Sequence, residues 1–509
     1  MDIDAIDAKI DRELESLRGV VETFLKNPEP PIWVPPNYTT PSNHDFLTSL
    51  RIPSYRNGNP SLLLHNLQEG NSDEIAKIFG DARHMCVAIT ATILQSLLLT
   101  TGCRCICNTS GSGKTRRMLE SLTRYWGFYF VAVPDVSGIG IRDLQDALDE
   151  VSDYCEWASD LSLLSSAKRV DQSEVNSATA SKLFKKVLAA RIVVFELFLE
   201  LVVQIDGSLQ ENHKHIWLLF QLFDRLDPQI ATLHPFVRII RNCLRHASNE
   251  ALDIIIERLD AIRDKFLPRS CFIIGLDEAQ QAVRLYRYCF TSSINNNLVR
   301  SILREIVKVF TKLPIKLIVS GTGISLVELE DVMVSGVSKP AEGIILFHNL
   351  GMFDTWPKLK PFLERYIPTS FLETPSGYCL QKRIQEYLLG RSVKIFLFNR
   401  QSYGLTNNRY RFSTSFLEYF LRNGLRSPHK LLNEYIKGHT ACLPGDNALS
   451  FTLKEPKPYI AVRMIGFEWD RLQEGRLILS PLFPPRSTLT QLRSSRTSRS
   501  SANCTISPD

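Results

Sequence analysis

Short apolar runs alternate with stretches of helical periodicity between residues 60 and 350. A short apolar run bounded by polar residues or glycine predicts a buried strand, because helices cover both faces of a parallel sheet. Alternation of such strands with helices is typical of an α/β domain with a parallel sheet. The predicted strands are residues 103–107, 128–133, 271–276, 316–320 and 343–348.

Helical patterns also occur in the sequence before the first predicted strand and between the second and the third. Residues 4–26 carry apolar side chains at helical spacing, and the proline-rich segment 27–42 predicts an extended arm, so residues 1–59 are assigned to an N-terminal helix and arm. The core is assigned to residues 60–350, with a helical insertion at about 151–250. The apolar positions of the first helix are Ile6, Ile10, Leu14, Leu17, Val21 and Phe24.

The last part of the chain divides into three predicted regions. Residues 351–440 return to a helical pattern, and residues 441–485 form a short C-terminal segment. Residues 486–509 are rich in Ser and Arg with few apolar side chains, so we expect them to be disordered because they cannot bury enough apolar surface.

Composition is that of a globular protein with room for two or three domains: 509 residues, 44% hydrophobic and 22% charged. The 11 cysteines are scattered and odd in number, which predicts free thiols in a reducing compartment, the cytoplasm or the nucleus. No secretory signal is predicted, because the chain opens on an acidic segment. The longest apolar runs are too short or carry glutamate, so no membrane span and no membrane partner are expected.

The formal net charge of +6 is unevenly placed along the chain. After residue 485, four arginines stand against one aspartate, which leaves +3 in the tail and only as much again in the rest. This balance is too weak to predict nucleic-acid binding from charge alone. Nucleic acid therefore stays an open alternative as a partner, as does another protein, and the oligomeric state is not predicted.

The segment NTSGSGKTRR, at residues 108–117, is the first candidate for chemistry. Gly113, Lys114 and Thr115 match the second half of the phosphate-binding pattern Gly, four residues, Gly-Lys-Ser/Thr, and Asn108 stands at the first glycine position. A predicted strand precedes it and a predicted helix follows. Glycines there let backbone N–H groups approach an anion at the positive end of the helix dipole. The alternative is a flexible turn with an incidental Lys-Thr pair.

In the phosphate-binding interpretation, Lys114 reaches the β- and γ-phosphates of ATP, and Thr115 ligates Mg²⁺. Asn108 is a mild departure from the pattern, because asparagine tolerates left-handed backbone conformations. The expected nucleotide-binding residues are Asn108, Thr109, Ser110, Gly111, Ser112, Gly113, Lys114, Thr115 and Arg116.

A second motif, CFIIGLDEAQ at residues 271–280, ends an apolar strand on two adjacent carboxylates. Unpaired buried charge is costly, and a Mg²⁺ ion offers a reason for it. We expect Asp277 to hold Mg²⁺ through water, and Glu278 to orient and deprotonate the attacking water. The alternative is a helix start, since Asp and Glu are favoured in a first helical turn. Both interpretations can hold together.

A third motif, KLPIKLIVSGTGISL at residues 312–326, is another strand that ends in small polar residues. P-loop ATPases with an extra strand between the two motif strands place a polar sensor beside the γ-phosphate at the end of that strand. Ser320 and Thr322 are the candidates, and Thr322 is favoured. The alternative is a Ser-Gly-Thr-Gly turn without a ligand.

Four stretches in this order, TSGSGKTRRMLESL, RYWGFYFVAVPDVSGIGIRDL, FIIGLDEAQ and IVSGTGISL, resemble the NTPase module of Crinkler-type effector proteins. That module is related to the NTPases of retrotransposon-hotspot proteins, in the AAA+/STAND branch of P-loop ATPases. The resemblance covers roughly residues 60–440. It implies a sheet with strand order 5-1-4-3-2, a helical lid, and ATP hydrolysis that serves as a conformational switch or motor.

The chain departs from this family at three places. The arginine element of the lid is split by residues 392–408, and the resemblance implies Arg409 or Arg411, of which we select Arg411, as a second sensor of the γ-phosphate. The stretch 324–343 after the sensor strand contains no arginine, so a ring with an arginine finger is not expected. The region after the lid is too short for the nuclease-like domain of many members.

Three hypotheses follow from these residues. The first is a Mg²⁺-dependent ATPase in which Lys114, Glu278, Thr322 and Arg411 act on the nucleotide, with Thr115 and Asp277 as the metal site. The second is a nucleotide-binding scaffold with little hydrolysis. The third is the ATPase part of an effector that acts on nucleic acid.

Overall fold

The computed structural model describes most of the chain up to residue 455, and all structural statements below concern that part. The described residues are 3–55, 58–70, 75, 104–107, 111–134, 138–223, 233–268, 270–291, 299–313, 315–324, 345–347, 353, 355–389, 410–441 and 443–455. The predicted disordered tail and the segment 392–408 lie outside them. The chain divides into two compact units, Met1–Leu432 and Asn433–Asp509.

The first unit contains a five-stranded sheet in which all neighbouring strands are parallel. Numbered along the chain, its strands are β1 (Arg104–Cys107), β2 (Trp126–Val131), β3 (Phe272–Asp277), β4 (Lys316–Gly321) and β5 (Ile345–Phe347). Across the sheet they lie in the order β2-β3-β4-β1-β5. Each of the five predicted apolar runs forms one of these strands, so the predicted α/β class with a parallel sheet is confirmed.

The described residues are otherwise mostly helical, apart from a two-stranded antiparallel ribbon of Phe290–Thr291 and Val299–Arg300. The α-helices are Ile3–Lys26, Pro41–Ser49, Lys114–Leu122, Asp143–Glu150, Ser166–Asp206, Glu211–Leu222, Pro235–Ile239, Asn249–Phe266, Ala279–Arg284, Ile302–Phe310, Trp356–Tyr366, Thr369–Leu372, Pro375–Leu388, Tyr410–Arg422, Pro428–Thr440 and Ala448–Leu453.

The insertion between β2 and β3 packs with the sheet in one large apolar core. Its long helix, Ser166–Asp206, buries Phe195 and Phe198 against Trp217 of the next helix, with ring centroids 4.9 and 5.0 Å apart. Phe195 also reaches the ring of Phe272 in β3, at 5.6 Å. The last insertion helix ends at Phe266, beyond the predicted boundary at about residue 250.

β2 is an outer strand of the sheet, and side chains of the insertion bind its outward-facing backbone groups. The amide of Tyr129 donates to the carboxamide oxygen of Gln221 at 2.9 Å, and the indole of Trp217 donates to the Gly127 carbonyl at 2.8 Å. An unpaired strand edge is a template for pairing with other chains. The insertion therefore covers this edge and satisfies its hydrogen bonds.

A fully buried ion pair completes this edge. Arg191, with 0% exposure, donates to both carboxylate oxygens of Asp143 at 2.7 and 2.8 Å. The same guanidinium donates to the Tyr129 carbonyl at 2.9 Å and to Gln221 at 3.1 Å, and it stacks over the Phe130 ring. We call Arg191, Asp143, Gln221 and the Tyr129 backbone the edge cluster.

The N-terminal helix Ile3–Lys26, which the sequence predicts as an amphipathic helix over residues 4–26, belongs to the main core. Its predicted apolar face is buried apart from Leu14, which is partly buried, and the Phe24 ring meets Phe220 at 5.3 Å. Ion pairs from Asp7 to Arg258, at 2.6 Å, and from Glu13 to Arg238, at 2.5 Å, hold its polar side to the insertion.

The described part of the second unit consists of the end of helix Pro428–Thr440 and the short helix Ala448–Leu453. The side-chain amide of Asn433 donates to the Ala448 carbonyl at 3.0 Å and joins the two. The remainder of the predicted segment 441–485 lies beyond the described residues.

Candidate functional site

Three of the sequence motifs meet where the parallel strands end. β4 lies between β1 and β3, with Cys107 of β1 in register with Gly321 of β4, and Leu276 of β3 in register with Val319 of β4. In open parallel sheets, ligands bind in the crevice outside the carboxyl ends of the strands. The glycine loop, defined here as residues 111–113, lies in the chain between β1 and the helix that begins at Lys114. It therefore lies at the same edge as the carboxylates after β3 and the polar end of β4.

Two glycines of the glycine loop have left-handed backbone conformations. Gly111 has φ 80° and Gly113 has φ 89°, and Gly113 caps the helix Lys114–Leu122, here called the loop helix. Side chains other than glycine rarely adopt such angles, so the turn requires these glycines. Ser112 between them is buried, and its hydroxyl has no hydrogen-bond partner in the described part of the chain. The predicted ligands Asn108, Thr109 and Ser110 lie outside the described residues.

The loop helix begins at Lys114, as the phosphate-binding interpretation requires. Lys114 is buried and Thr115 is half-buried at the first turn, where the backbone N–H groups of a helix lack partners within the helix. Met118 and Leu122 of this helix are buried. The helix therefore directs its N-terminus, with its partial positive charge, to the carboxyl edge of the sheet.

Arg116, one of the predicted nucleotide ligands, makes several bonds within the protein. Its guanidinium binds the carbonyls of Leu63, His65 and Asn66 at 2.8, 2.6 and 2.9 Å, and it pairs with Glu120 at 2.7 Å. The side chain thus fastens residues 62–66, here called the strap, to the loop helix. A contact of Arg116 with a nucleotide stays a prediction.

Asp277 lies at the end of β3 and is buried with 2% exposure. One carboxylate oxygen accepts from the hydroxyl of Tyr129 at 3.3 Å, and the other accepts from the amide of Glu278 at 2.9 Å. A carboxylate offers about four acceptor positions, so these two bonds leave capacity for a cation or a water molecule. The sequence did not indicate Tyr129, whose position on the neighbouring strand only the sheet order reveals.

Glu278 follows in a left-handed backbone conformation, with φ 54° and ψ 31°, and caps the helix Ala279–Arg284. Such a conformation is unfavourable for a residue other than glycine, and strained residues of this kind cluster at active sites and ligand-binding segments. The helix start that was the alternative interpretation of this motif is thus present as well. The Glu278 carboxylate accepts a hydrogen bond from the side-chain amide of Gln280.

The end of β4 presents the two sensor candidates in different settings. Ser320 is fully buried, and its hydroxyl has no partner among the described residues. Thr322 is half-buried, and its amide donates to the carboxamide oxygen of Gln280 at 2.9 Å. Gln280 therefore joins the ends of β3 and β4. The sequence contained it within CFIIGLDEAQ, but its type and position alone do not indicate this bridge.

The helix Tyr410–Arg422, here called the lid helix, begins against the glycine loop. The amide of Arg411 donates to the Gly111 carbonyl at 3.0 Å, and a Cβ on Gly111 would lie 2.7 Å from the Arg411 Cβ. A Cβ on Gly113 would lie 3.1 Å from the Tyr410 ring. The structure thus brings Arg411 to the predicted phosphate loop, whereas Arg409 lies outside the described residues.

Glu418 of the lid helix binds the strap. Its carboxylate accepts from the amide of Leu62 at 2.8 Å and from the hydroxyl of Tyr55 at 3.5 Å. The side chain as a whole is half-buried, but its carboxyl end faces the protein, and this burial raises the pKa of Glu418 to about 7. Because Arg116 fastens the same strap to the loop helix, the strap links the lid helix to the glycine loop.

The described residues contain no cluster of three or more His, Cys, Asp or Glu side chains that could hold a metal ion. A Mg²⁺ ion bound with a nucleotide commonly takes only one or two protein carboxylates, because phosphates and water supply its other ligands. Asp277 with Thr115 is a donor set of that kind. Within the described part of the chain, no helix has the length and apolar character needed to cross a membrane.

The site thus combines a buried lysine at a helix N-terminus, adjacent carboxylates, and buried hydroxyls that have no partner among the described residues, all at one sheet edge. This combination can bind an anionic group beside a divalent cation and activate a water molecule. Comparison of the chain with protein-family models, with curated proteins and with solved structures found no match.

Proposed function

We propose that this protein binds ATP and hydrolyses it with Mg²⁺, as a P-loop ATPase of the Crinkler-like group in the AAA+/STAND branch. The observation that carries the proposal is the meeting of the glycine loop, the Asp277-Glu278 pair and the polar end of β4 at one sheet edge. The strand order supports it, since counted from β5 it reads 5-1-4-3-2, the order that the resemblance implies.

The glycine loop and the loop helix bind the phosphates. Left-handed Gly111 and Gly113 permit the tight turn into the loop helix and the close approach of the lid helix, and the N-terminus of the loop helix supplies donors and partial positive charge. Lys114 supplies a full positive charge at the same end. The Ser112 hydroxyl, which is buried without a described partner, supplies a further donor.

Thr115 and Asp277 would hold the Mg²⁺ ion. Their donor types suit this ion, since both present oxygen, and the two bonds that Asp277 accepts leave part of its carboxylate for a metal-bound water. When bound, the cation neutralises charge that develops on the phosphate oxygens. The Tyr129 hydroxyl holds the Asp277 carboxylate in place.

Glu278 orients the attacking water and accepts its proton. Its backbone conformation is held by the Asp277 carboxylate, so the two adjacent carboxylates have different surroundings and different roles. Thr322, at the end of β4, and Arg411, on the lid helix, sense the γ-phosphate. Contact of the lid helix with the glycine loop supports a conformational response to the nucleotide.

A second candidate is a nucleotide-binding scaffold with little hydrolysis. Asn108 in place of the first glycine of the loop favours it, as does the separation of Arg411 from Gly390 and Arg391 by the segment 392–408. This candidate shares the binding site with the first and differs in turnover only.

Calorimetry of Mg²⁺-ATP binding tests the shared part of both candidates. We expect Lys114→Ala to weaken ATP binding about 10- to 100-fold, because it removes a charged donor to the phosphates. Since Lys114 is buried, Lys114→Met serves as a second variant of more similar volume. Phosphate release under single-turnover conditions then separates the ATPase from the scaffold.

Lys168→Ala is the matched control, because Lys168 is an exposed lysine on the long helix Ser166–Asp206. It should leave ATP affinity unchanged. If either Lys114 variant melts like the parent protein and binds ATP with parental affinity, the phosphate-loop assignment is wrong.

A further inference from the structure

The carboxamide of Gln280 bridges two parts of the site that different strands deliver. Its nitrogen donates to the Glu278 carboxylate, and its oxygen accepts from the Thr322 amide at 2.9 Å. Glu278 follows β3, and Thr322 follows β4. One buried side chain therefore contacts both the proposed base and the backbone of the proposed sensor.

Chemistry determines the orientation of this carboxamide. A carboxylate only accepts hydrogen bonds, and a backbone N–H only donates them. The reverse orientation would set oxygen against oxygen at Glu278 and nitrogen against nitrogen at Thr322. The assignment of nitrogen and oxygen, which is otherwise ambiguous for a glutamine, is therefore settled by its two partners.

The neighbouring backbone leaves just enough room for this bridge. A Cβ on Gly321 would lie 3.0 Å from the carboxamide oxygen of Gln280 and would collide with Ile324. The absence of a side chain at residue 321 thus permits the close approach of Gln280 to the end of β4. Gln280 itself is buried, so its two bonds are poorly screened by water.

We infer that Gln280 is a positioning residue, which orients the Glu278 carboxylate and couples its position to the backbone at the end of β4. This inference rests on the proposed ATPase function. When the γ-phosphate displaces the Thr322 backbone, the carboxamide oxygen of Gln280 that accepts from the Thr322 amide moves with it. The nitrogen of the same carboxamide then shifts the Glu278 carboxylate, to which it donates. The end of β4 thereby controls when the base is aligned.

Two variants separate the two bonds of Gln280. Gln280→Met has a similar volume and loses both bonds, whereas Gln280→Glu still accepts from the Thr322 amide but places a second negative charge beside Glu278. We expect both variants to retain ATP affinity. Their single-turnover hydrolysis should fall by about 10- to 100-fold, because a misplaced reacting group costs that much.

The split between rate and affinity is a readout that a purely structural role would not give. Loss of the bridge should slow single-turnover hydrolysis while the dissociation constant for Mg²⁺-ATP and the free energy of unfolding keep their parental values. A collapse of the site would change all three quantities.

Gln281→Met and Gln281→Glu are the matched controls, since Gln281 is the adjacent glutamine on the same helix and is half-buried. They should leave the rate unchanged. If hydrolysis is measurable and both Gln280 variants keep the parental rate, or if the Gln281 variants match their effects, the positioning role is wrong and the ATPase proposal stands. A parent protein that neither binds nor hydrolyses ATP would overturn both.

Discussion

The edge cluster beside β2 and the candidate site at the carboxyl ends of the strands are both buried and polar. They differ in how fully their polar side chains are hydrogen-bonded. In the edge cluster, Arg191 makes two bonds to Asp143 and one each to Gln221 and the Tyr129 carbonyl. In the candidate site, the hydroxyls of Ser112 and Ser320 are buried without a partner in the described part of the chain. Buried polar groups normally have partners, so such exceptions call for an explanation.

The two regions also differ in backbone conformation. Glu278 adopts a left-handed conformation in the candidate site, whereas the edge cluster contains no residue with positive φ. A region whose groups satisfy one another serves stability, because any exchange of partners costs energy. A region with unused donors and a strained residue retains capacity to bind a ligand. The comparison therefore predicts that substitutions in the two regions act on different observables.

The largest expected effect is on hydrolysis in the candidate site. Glu278→Gln should retain ATP affinity and slow single-turnover hydrolysis by about 10²- to 10⁴-fold, since it removes the general base and keeps the shape of the side chain. Asp277→Asn should instead weaken ATP binding in the presence of Mg²⁺, because it removes a negative charge from the metal site. Calorimetry with Mg²⁺ and rapid-quench kinetics measure the two quantities.

This pair of adjacent carboxylates is its own control. Equal losses of affinity in both variants would show that their roles are not separate. A measurable parental rate that survives Glu278→Gln would show that Glu278 is not the base. Both variants should have a free energy of unfolding within about 1 kcal/mol of that of the parent protein.

The next largest effect is on stability, in the edge cluster. Arg191→Met should lower the free energy of unfolding by about 3–5 kcal/mol, because it leaves the buried carboxylate of Asp143 without its partner. Adding Asp143→Asn to this variant should recover part of the loss, since the uncompensated charge is then removed. Urea denaturation followed by circular dichroism measures these differences.

Ser320→Ala applies the same stability measurement to the candidate site. Its hydroxyl is buried without a described partner, so its removal should change the free energy of unfolding by no more than about 0.5 kcal/mol. If Ser320→Ala destabilises the protein as much as Arg191→Met does, the distinction between a satisfied cluster and an unsatisfied one fails.

A pH-dependent effect, smaller than that of Arg191→Met, is expected at Glu418, between the lid helix and the strap. Burial raises its pKa from 4.5 to about 7 in the folded protein, so folding favours the protonated acid. The stability from Glu418 is therefore fully present below pH 4.5 and is lost as the pH rises to about 7, with an upper limit of about 3 kcal/mol. Glu418→Gln stays neutral and can still accept from Leu62, so it should be more stable than the parent protein at pH 8.

Denaturation at pH 5 and pH 8 measures this effect, with Glu373→Gln as the control because Glu373 is exposed. The advantage of Glu418→Gln over the parent protein should be clearly larger at pH 8 than at pH 5, while the control shows no such change. An equal difference at both pH values would contradict the assignment of a buried, protonated acid at this contact.

The elements of this protein were largely predictable from its sequence. The five apolar runs became the five strands, and the apolar spacing of residues 4–26 became the buried face of the first helix. Both patterns are local, because the period of two or 3.6 residues is set by the geometry of one element. The candidate Asp277-Glu278 pair and the glycine loop were likewise recognisable as short motifs with their strand and helix context.

The protein contacts of Arg116 could not be predicted from the sequence, and this has a physical reason. Arg116 follows Thr115 directly in the motif, but successive residues of a helix point in different directions. Its guanidinium donates to the carbonyl groups of residues 63, 65 and 66, which are close in space and distant in sequence. No local pattern distinguishes a loop arginine that meets a ligand from one that meets a distant backbone.

The sequence by itself determined the strands, the helices, and the residue types available for chemistry, because these depend on side chains within a few positions of each other. Only the tertiary structure decided which groups meet: β4 between β1 and β3, Gln280 between Glu278 and Thr322, and Arg411 against Gly111. These contacts join residues between 2 and about 300 positions apart. Their formation depends on strand order and packing, which arise from the burial of the whole core rather than from any one segment.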